Sequence, residues 1–403
     1  MKLGPTMPPD LRPRALFLSP EAPYPAIGGG ALRSASLLEY LAARYVVDVI
    51  VFHEPSAPDP RAAFPAGLVR DIQVLELPYH SRSLLARVAR NTGRYLAGRA
   101  PLNDRFAGFA APISACLGGR RYDLAVIEHF WCAPYCRQLQ PLAGRVVLDL
   151  HNVESVFYNR CARSEPWPAS IALRRFSRAC AAAERRWFPR FSMLLVTSDE
   201  DACRVREICP GASVRVYPNT IPLVAQPDLP EEAALIFSGN LQYRPNISAV
   251  RFFRKRIWPL LRDRWPELVW RLVGKNPQAV ARYAVGDARI QLAGPVANAI
   301  EALAAARVVV VPLLAGSGTR VKILEAWAAG RAVVSTPLGA EGLPVRDGEH
   351  LLLADTPEAF AAAVSRLLAS PEDRLRLGRA GRQLYERQFT WQEGWHSLLT
   401  ISL

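Results

Sequence analysis

The chain has 403 residues, of which 50% are hydrophobic and 21% charged, and its formal net charge is +14 at pH 7. A length prior of about 100–200 residues per domain predicts two domains, and this composition is that of a globular protein. No stretch approaches the roughly 18 apolar residues that a membrane-spanning helix needs. Residues 1–9 also lack the apolar core of a signal peptide, so we expect a cytoplasmic protein.

The excess of positive charge favours polyanionic partners, which include nucleic acid, an anionic membrane surface and phosphorylated substrates. No nucleic-acid-binding motif is present, so nucleic acid is not an expected partner. The seven cysteines lack the spacing of a zinc site and favour free thiols in a reducing compartment. The acidic triplet Asp199-Glu200-Asp201 follows a predicted strand, where acids are expected to cap a helix. We therefore predict no metal site.

Short apolar runs alternate with amphipathic stretches along the chain, a pattern typical of βα units and largely parallel sheets. In the first half, this pattern predicts strands at Ala15–Ser19, Val46–Phe52, Ile72–Leu75, Leu124–Ile127, Val146–Leu150, Met193–Thr197 and Val214–Tyr217. In the second half, it predicts strands at Ala234–Phe237, Leu268–Val273, Ile290–Leu292, Val308–Pro312 and Ala332–Ser335. The expected fold class is α/β, with ligands bound at the carboxyl ends of the strands.

The proline-rich segment Pro218–Pro230 separates the two halves and suits neither a helix nor a strand. We therefore expect a Rossmann-like domain at residues 1–220, a linker at 221–231 and a second Rossmann-like domain at 232–380. Residues 381–403 are predicted to form a helical segment that returns to the first domain. Packing explains Trp391 and Trp395 in that segment better than a functional role.

The first half offers two groups of candidate site residues. Gly28, Gly29 and Gly30 open a helix after the first strand, but Arg33 occupies the third glycine position of a dinucleotide-binding fingerprint. We therefore interpret the glycines as a flexible backbone wall that faces a ligand. His129 and His151 each follow a predicted strand, and either bind a ligand there or serve as ordinary hydrogen-bonded histidines.

The turn Gly316-Ser317-Gly318-Thr319-Arg320 leads from an apolar strand into a helix. A helix N-terminus offers unpaired N–H groups and a partial positive charge of about +0.5, which suits a phosphate. The two glycines let the backbone approach a ligand closely. Arg320 and Lys322 add positive charge, and Glu325 can accept hydrogen bonds from a ribose diol. This turn therefore predicts a nucleotide-diphosphate site, with a capped turn and solvated cations as the alternative.

Other turns of the second half are expected at the same edge of the sheet. One contains Gly239 and Asn240, with Arg244 shortly after them, and another contains Gly274 and Lys275. Val296 follows a third turn. Several turns that converge on one edge support a ligand site more strongly than any of them alone.

These segments together resemble the retaining family-4 glycosyltransferases, particularly those of bacterial exopolysaccharide and surface-glycan synthesis. The resemblance is most specific over residues 234–355. It is carried by Ser238-Gly239-Asn240, Tyr243-Arg244-Pro245-Asn246, Val273-Gly274-Lys275-Asn276-Pro277, the segment from Gly316 to Ala326, and Gly339-Ala340-Glu341-Gly342-Leu343. It implies a GT-B fold, in which two Rossmann-like domains face a cleft. It also implies a nucleotide-sugar donor on the second domain, a glycan or lipid-linked acceptor on the first, and no metal or other cofactor.

The resemblance also assigns roles to individual residues. Catalytic roles fall on His129, His151, Arg244 and Lys322. Donor binding falls on Gly29, Gly30, Gly239, Asn240, Gly274, Lys275, Val296, Gly316, Ser317, Gly318, Thr319, Arg320 and Glu325. Glu325 matches the second glutamate of the family's E-x7-E motif, whereas Ser317 replaces the first. Asn240 stands where the family has a basic residue, and Arg244 is the nearest basic substitute.

The expected function is retaining transfer of a sugar, without a metal, and with the leaving phosphate assisting deprotonation of the acceptor. The alternatives are a nucleotide-sugar epimerase and a nucleotide-sugar-binding protein that has lost catalysis, because Ser317 and Asn240 depart from the family pattern. Residues 81–100 form a further candidate surface, because they contain no acid and five arginines: Arg82, Arg87, Arg90, Arg94 and Arg99. Such a helix either docks peripherally on an anionic membrane or packs its apolar side on its own domain.

Overall fold

The computed structural model describes residues 12–81, 83–318, 320–401 and 403. The chain forms two compact units. The first contains the described residues up to Asn159, together with Trp167–Pro218 and those of Trp395–Leu403. The second contains Arg160–Pro166 and the described residues of Asn219–Gly394. In this part of the chain, every helix is too short or too polar to cross a lipid bilayer.

The first unit is built on a seven-stranded parallel sheet in the order β3-β2-β1-β4-β5-β6-β7. Its strands are Arg14–Ser19 (β1), Val46–His53 (β2), Asp71–Glu76 (β3), Tyr122–Glu128 (β4), Ala143–Asp149 (β5), Met193–Val196 (β6) and Val214–Val216 (β7). All seven predicted strands are therefore present. The middle residues of β1, β4, β5 and β6 are continuously apolar and buried, as expected for a parallel sheet covered on both faces by helices. The strand order reverses between β1 and β4, where the carboxyl ends of the strands open a ligand crevice in folds of this type.

Eight α-helices alternate with these strands along the described chain. They are Gly29–Ala42 (α1), Leu84–Ala97 (α2), Pro101–Arg105 (α3), Ala110–Leu117 (α4), Cys136–Leu139 (α5), Glu154–Ser164 (α6), Ala169–Trp187 (α7) and Asp199–Ile208 (α8). The acidic triplet at 199–201 forms the first turn of α8. Ser198 caps that turn, because its hydroxyl accepts a hydrogen bond from the Asp201 N–H at 3.2 Å. The capping interpretation of the triplet is confirmed.

The second unit contains a six-stranded parallel sheet in the order β10-β9-β8-β11-β12-β13. The strands are Glu232–Ser238 (β8), Val269–Val273 (β9), Ile290–Gly294 (β10), Ala306–Val311 (β11), Ala332–Ser335 (β12) and Leu352–Leu353 (β13). The five predicted strands are all present. The sixth, β13, was missed because a two-residue strand is too short to show a pattern.

Further α-helices follow β8 along the chain. They are Arg244–Phe252 (α9), Trp258–Arg262 (α10), Ala299–Ala304 (α11), Val321–Ala328 (α12), Pro357–Ala369 (α13), Pro371–Gln388 (α14) and Trp391–Leu399 (α15). One π-helical turn, Phe253–Ile257, joins α9 to α10. The helix α12 follows the glycine turn at 316–320, as the sequence predicts.

The proline-rich segment after β7 contains neither a helix nor an extended strand. It lies along α14, because the Tyr385 hydroxyl donates to the Pro222 carbonyl at 2.6 Å and accepts from the Val224 N–H at 3.2 Å. At the end of the chain, Trp395 belongs to the first unit and its Nε1 donates to the Ser36 carbonyl at 3.0 Å. Packing on α1 therefore accounts for this tryptophan.

Candidate functional site

Two glycines bring the carboxyl ends of β8 and β9 together in the second unit. Gly239 and Gly274 have φ angles of 134° and 139°. A Cβ atom on Gly274 would lie 1.9 Å from the Gly239 carbonyl oxygen. Such a contact is impossible without displacing one of the two turns. Both predicted glycines thus lie at one site, where the two turns approach so closely that Gly274 has no room for a side chain.

Lys322 extends from α12 to this same turn. Its Nζ donates to Asn246 Oδ1 at 2.9 Å and lies 3.9 Å from the centre of the Phe237 ring. A Cβ atom on Gly239 would lie 3.5 Å from Nζ. Burial, together with the positive charge of Arg320, lowers the pKa of Lys322 to about 7. The lysine is therefore held at the glycine turn, in surroundings that favour its cation less than water does.

The glycine turn before α12 is buried and internally braced. Gly316 has a φ of 121°, and its carbonyl accepts a hydrogen bond from Arg160 Nη1 at 2.9 Å. Arg320 is 7% exposed, and its Nη1 donates to the Ser317 carbonyl at 2.5 Å. Gly318 is also buried, with a φ of 76°. The predicted residue Thr319 lies outside the described residues.

Arg160 was not predicted as a site residue. Besides the Gly316 carbonyl, its guanidinium binds both carboxylate oxygens of Glu341, at 2.5 and 2.7 Å. This bidentate geometry is the strong form of an arginine–carboxylate pair. Glu341 lies in one of the motifs that carry the family resemblance. Nothing in the sequence pattern, however, connects it to an arginine 181 positions away.

Glu325 is half-buried on α12, three residues beyond Lys322. Burial raises the pKa of Glu325 to about 7, and the charge of Lys322 opposes that rise. In the described part of the chain, no side chain donates a hydrogen bond to this carboxylate. The carboxylate therefore remains available to a ligand, as the ribose-binding assignment requires.

The other predicted donor-binding residues of the second unit are more exposed. Asn240 Oδ1 accepts hydrogen bonds from the Gln242 N–H and from Asn276 Nδ2, both at 3.1 Å. Arg244, the first residue of α9, has an exposed side chain. Lys275 is also exposed and Val296 is half-buried. The structure thus places Lys322, rather than Arg244, as the cation held directly at the Gly239 turn.

In the first unit, the rings of His129 and His151 lie against each other, tilted by 31°, just after β4 and β5. Their ring centres are 3.6 Å apart, and Trp131 stacks on His129 with a centre separation of 4.2 Å. A Cβ atom on Gly30 would lie 3.9 Å from His151 Nδ1 and 4.0 Å from His129 Nε2. Gly29 precedes it as the first residue of α1. The glycine turn and both histidines are therefore neighbours within this unit.

Buried charges surround His151. Its Nε2 lies 2.7 Å from Glu128 Oε2 and 3.4 Å from Asp149 Oδ2. Burial lowers the pKa of His151, but the two carboxylates outweigh that effect and raise it to about 9. Burial and the charge of His151 hold the pKa of His129 well below its usual range. Near neutral pH the pair therefore consists of one cationic and one neutral imidazole.

Arg33 neutralises negative charge in this cluster, and that role explains why position 33 is not a glycine. The side chain is 2% exposed, and its Nε donates to Asp149 Oδ2 at 2.7 Å. Its Nη1 donates to the Tyr217 carbonyl at 2.6 Å. A dinucleotide fingerprint requires a glycine for close packing of helix on strand, whereas this fold places a buried ion pair there. Arg33, Glu128 and Asp149 were missed because their partners are distant in the sequence.

Glu128, Asp149 and His151 also meet one criterion of a metal site, because their ligand atoms lie within 4.8 Å of one another. Internal donors hold both oxygens of Asp149, through Arg33, and one oxygen of Glu128, to which the Ser34 hydroxyl donates at 2.6 Å, whereas Glu128 Oε1 is buried without a hydrogen-bond partner among the described residues. These contacts fit a charged hydrogen-bond network better than an open metal site. That the protein needs no metal stays a prediction.

Comparison with known proteins adds evidence from outside the chain. Residues 232–370 match the family model described as "Glycosyl transferases group 1". An uncharacterized 44.6 kDa protein in the cps region of Klebsiella pneumoniae is 23% identical over 367 residues. That alignment covers 86% of this chain and 89% of the relative. The family match contains the Gly239, Gly274 and 316–325 turns of the second unit.

Among solved structures, the fold is similar to sucrose-phosphate synthase from Thermosynechococcus elongatus. The TM-score is 0.74 at 21% identity, with 97% of this chain and 98% of that chain covered. Anabaena HepE in complex with UDP has a TM-score of 0.63 at 14% identity, with 96% and 99% covered. These similarities establish a GT-B fold, with two parallel Rossmann-like sheets and a C-terminal helix, as the resemblance implied.

Proposed function

We propose that this chain, as a group 1 (family-4) glycosyltransferase, transfers a sugar from a nucleotide-sugar donor with retention of the anomeric configuration. The acceptor is proposed to be a hydroxyl of a glycan or of a lipid-linked sugar. The position of the Klebsiella relative in a cps (capsular polysaccharide) region supports a surface-glycan acceptor. The description of Anabaena HepE in complex with UDP supports a nucleoside diphosphate as the leaving group.

The observation that carries the proposal is the position of Lys322 at the Gly239 turn. Its ammonium group lies beside a backbone that has no side chain in the way, and Arg320 lies in the same helix-initiating turn. The donor diphosphate is proposed to bind there. An anion would raise the pKa of Lys322 above its lowered value, because an opposite charge favours the cation. Glu325 is proposed to accept hydrogen bonds from the ribose hydroxyls.

Chemically, the anomeric carbon–oxygen bond to the diphosphate breaks and a bond to the acceptor oxygen forms on the same face of the sugar. The acceptor proton passes to the departing diphosphate. Negative charge develops on that diphosphate, and prearranged cations and N–H groups stabilise it in the transition state. Lys322 and Arg320 supply this positive charge, so transfer is proposed to proceed without a metal.

His129 and His151 are proposed to bind hydroxyl groups of a sugar. A neutral imidazole such as His129 can both donate and accept a hydrogen bond, whereas cationic His151 can only donate. Gly30 leaves space beside both rings, because the Cβ atom that it lacks would be in contact with His151 Nδ1 at 3.9 Å, His129 Nε2 at 4.0 Å and Glu21 Oε2 at 3.8 Å. A larger residue at position 30 would fill the space that a hydroxyl needs.

Donor binding and product stereochemistry test the proposal together. Calorimetry with UDP, GDP and ADP identifies the bound base, and a screen of the matching sugar nucleotides with membrane extracts identifies the transferred sugar. Proton NMR of the product should show the same anomeric configuration as the donor. An inverted product would contradict retention, and failure to bind any nucleoside diphosphate would contradict the donor site. Conversion of the donor without an acceptor would instead indicate an epimerase.

A further inference from the structure

Three apolar residues of helix α2 face outward. Leu85, Val88 and Leu96 are 83%, 54% and 69% exposed. Their spacing places all three on one face of a helix with about 3.6 residues per turn. No described part of the chain covers this face, so of the two alternatives that the sequence left open, packing of the apolar side on its own domain does not hold for these three residues.

The arginines of α2 occupy the opposite side, and two of them are held by the protein. Arg94 Nε donates to Asp104 Oδ2 at 2.8 Å, and Arg90 donates to the Ser81 carbonyl at 3.3 Å. Arg87 is exposed, and Arg82 lies outside the described residues. The outward-facing surface of α2 is therefore mainly apolar rather than basic.

A cavity with several arginines lies next to this helix. Arg175 of α7 connects the two helices, because its Nε donates to the Tyr95 carbonyl at 2.5 Å and its Nη2 to the Leu96 carbonyl at 3.0 Å. The cavity has a volume of about 520 Å³. Its lining includes Tyr95, Gly98, Ile171, Arg174, Arg175 and Arg178.

The outer side of α7 carries positive charge without compensating acids. Its single acidic residue, Glu184, is fully buried. Arg174 and Arg178 lie one turn apart and are exposed, and in the described structure neither makes a hydrogen bond to the protein. Directly before and at the start of this helix, Trp167 and Ile171 are 76% and 46% exposed. Exposed apolar and aromatic residues thus lie beside unpaired guanidinium groups.

We propose that the exposed face of α2 and the arginine cavity of α7 form a docking surface for an anionic lipid bilayer. We call it the α2–α7 surface: Leu85, Val88, Leu96, Ile171, Arg174 and Arg178. The apolar side chains enter the boundary between headgroups and acyl chains, and Arg174 and Arg178 bind a headgroup phosphate. Guanidinium groups match phosphate oxygens in pairs, and apolar residues beside them favour a membrane over a soluble phosphate. This role goes beyond the transfer reaction and does not depend on it.

Vesicle flotation with the full chain tests the proposal. The protein should bind vesicles that contain phosphatidylglycerol more strongly than pure phosphatidylcholine, and added salt should weaken the binding. The double variant Arg174→Ala/Arg178→Ala should lower the partition coefficient about fivefold per arginine. The double variant Leu85→Gln/Leu96→Gln should lower it at least about tenfold, even at low salt, because apolar insertion is lost.

Matched controls come from exposed residues of the second unit. Arg264→Ala/Arg379→Ala removes the same charge, and Leu375→Gln changes a leucine that is 53% exposed on α14. Both controls should leave vesicle binding unchanged. All variants should bind UDP like the parent, which separates docking from loss of fold or of donor binding.

Three outcomes would overturn the proposal. The first is equal recovery with neutral and anionic vesicles, and the second is equal losses in the control variants. The third is a dimer in size-exclusion chromatography that Leu85→Gln/Leu96→Gln converts to a monomer, without vesicle binding by the parent. That result would assign the apolar face of α2 to a second copy of the chain.

Discussion

Lys322 illustrates how the surroundings of a single residue decide its chemistry. Its ammonium group donates to Asn246 and lies against the Phe237 ring, and burial and Arg320 lower its pKa to about 7. Near neutral pH, a substantial fraction of this lysine is therefore neutral before a ligand binds. A diphosphate would restore the cation, so donor binding and proton uptake are expected to be coupled.

We expect UDP affinity to fall as the pH rises above about 7, because the free protein must then take up a proton at Lys322. Calorimetry in buffers of different ionisation enthalpy measures this uptake. Lys322→Met should abolish the uptake and lower turnover more than it lowers stability. Lys255→Met, at an exposed lysine of the π-helical turn, is the control and should behave like the parent. Proton uptake that persists in Lys322→Met would assign it elsewhere.

Glu325→Ala is expected to weaken UDP binding by about ten- to a hundredfold, or on the order of 1.5–3 kcal/mol, because ribose hydroxyls lose their acceptor. Pyrophosphate has no ribose, so its affinity should be the same in Glu325→Ala and in the parent. Glu301→Ala, an exposed acid on α11, is the control. An equal loss for UDP and pyrophosphate would mean that Glu325 acts on the phosphates or on the fold instead.

The raised pKa of His151 makes the stability of the folded protein depend on pH. Its folded-state pKa of about 9 lies above the unfolded value of about 6.5, so protonation favours the folded state. This contribution is complete below about pH 6.5 and is lost as the pH rises through 9. We expect the free energy of unfolding to decrease over that range, as measured in urea. His151→Gln should flatten the decrease, and an unchanged slope would contradict the assignment.

At the scale of elements, the ends of parallel strands create the candidate sites. The turns after β8 and β9 touch through Gly239 and Gly274, and the rings of His129 and His151 meet after β4 and β5. In each unit, neighbouring strands of a parallel sheet bring sequence-distant turns to the same edge. The order of the strands therefore decides which turns can cooperate.

Gly274→Ala is expected to destabilise the second unit by about 2–4 kcal/mol, because a Cβ atom adds strain at positive φ and collides with the opposite turn. Gly286→Ala is the matched control, since Gly286 has a φ of 80° but nothing within 4 Å of the added atom. The control should cost only about 1 kcal/mol. Urea unfolding of both variants measures the difference, and equal losses would show that the close approach is unimportant.

At the scale of the whole molecule, a bound donor nucleotide should stabilise the folded chain by mass action. UDP at 100 times its dissociation constant is expected to add about 2.7 kcal/mol to the free energy of unfolding. Thermal or urea unfolding with and without UDP measures this. Glu325→Ala at the same UDP concentration should gain less, and an equal gain would place the nucleotide away from α12.

The sequence by itself determined the alternation of strands and helices, the GT-B fold and the glycine turns at 239, 274 and 316, because these features depend on local patterning and on a family motif. It could not determine which side of α2 faces outward. That depended on Arg94 meeting Asp104 and on the absence of a cover over Leu85 and Val88 in the described structure. A periodic pattern defines two faces of a helix, but only the packed neighbours decide which one is buried.

Only the tertiary structure decided the charged contacts that complete the candidate sites. Arg33 meets Asp149 across 116 positions, and Arg160 meets Gly316 across 156. Burial makes such ion pairs and carbonyl contacts important, but it leaves no periodic trace in the sequence. The physical reason is that a turn or a strand follows from adjacent residues, whereas the partner of a buried charge follows from the complete path of the chain.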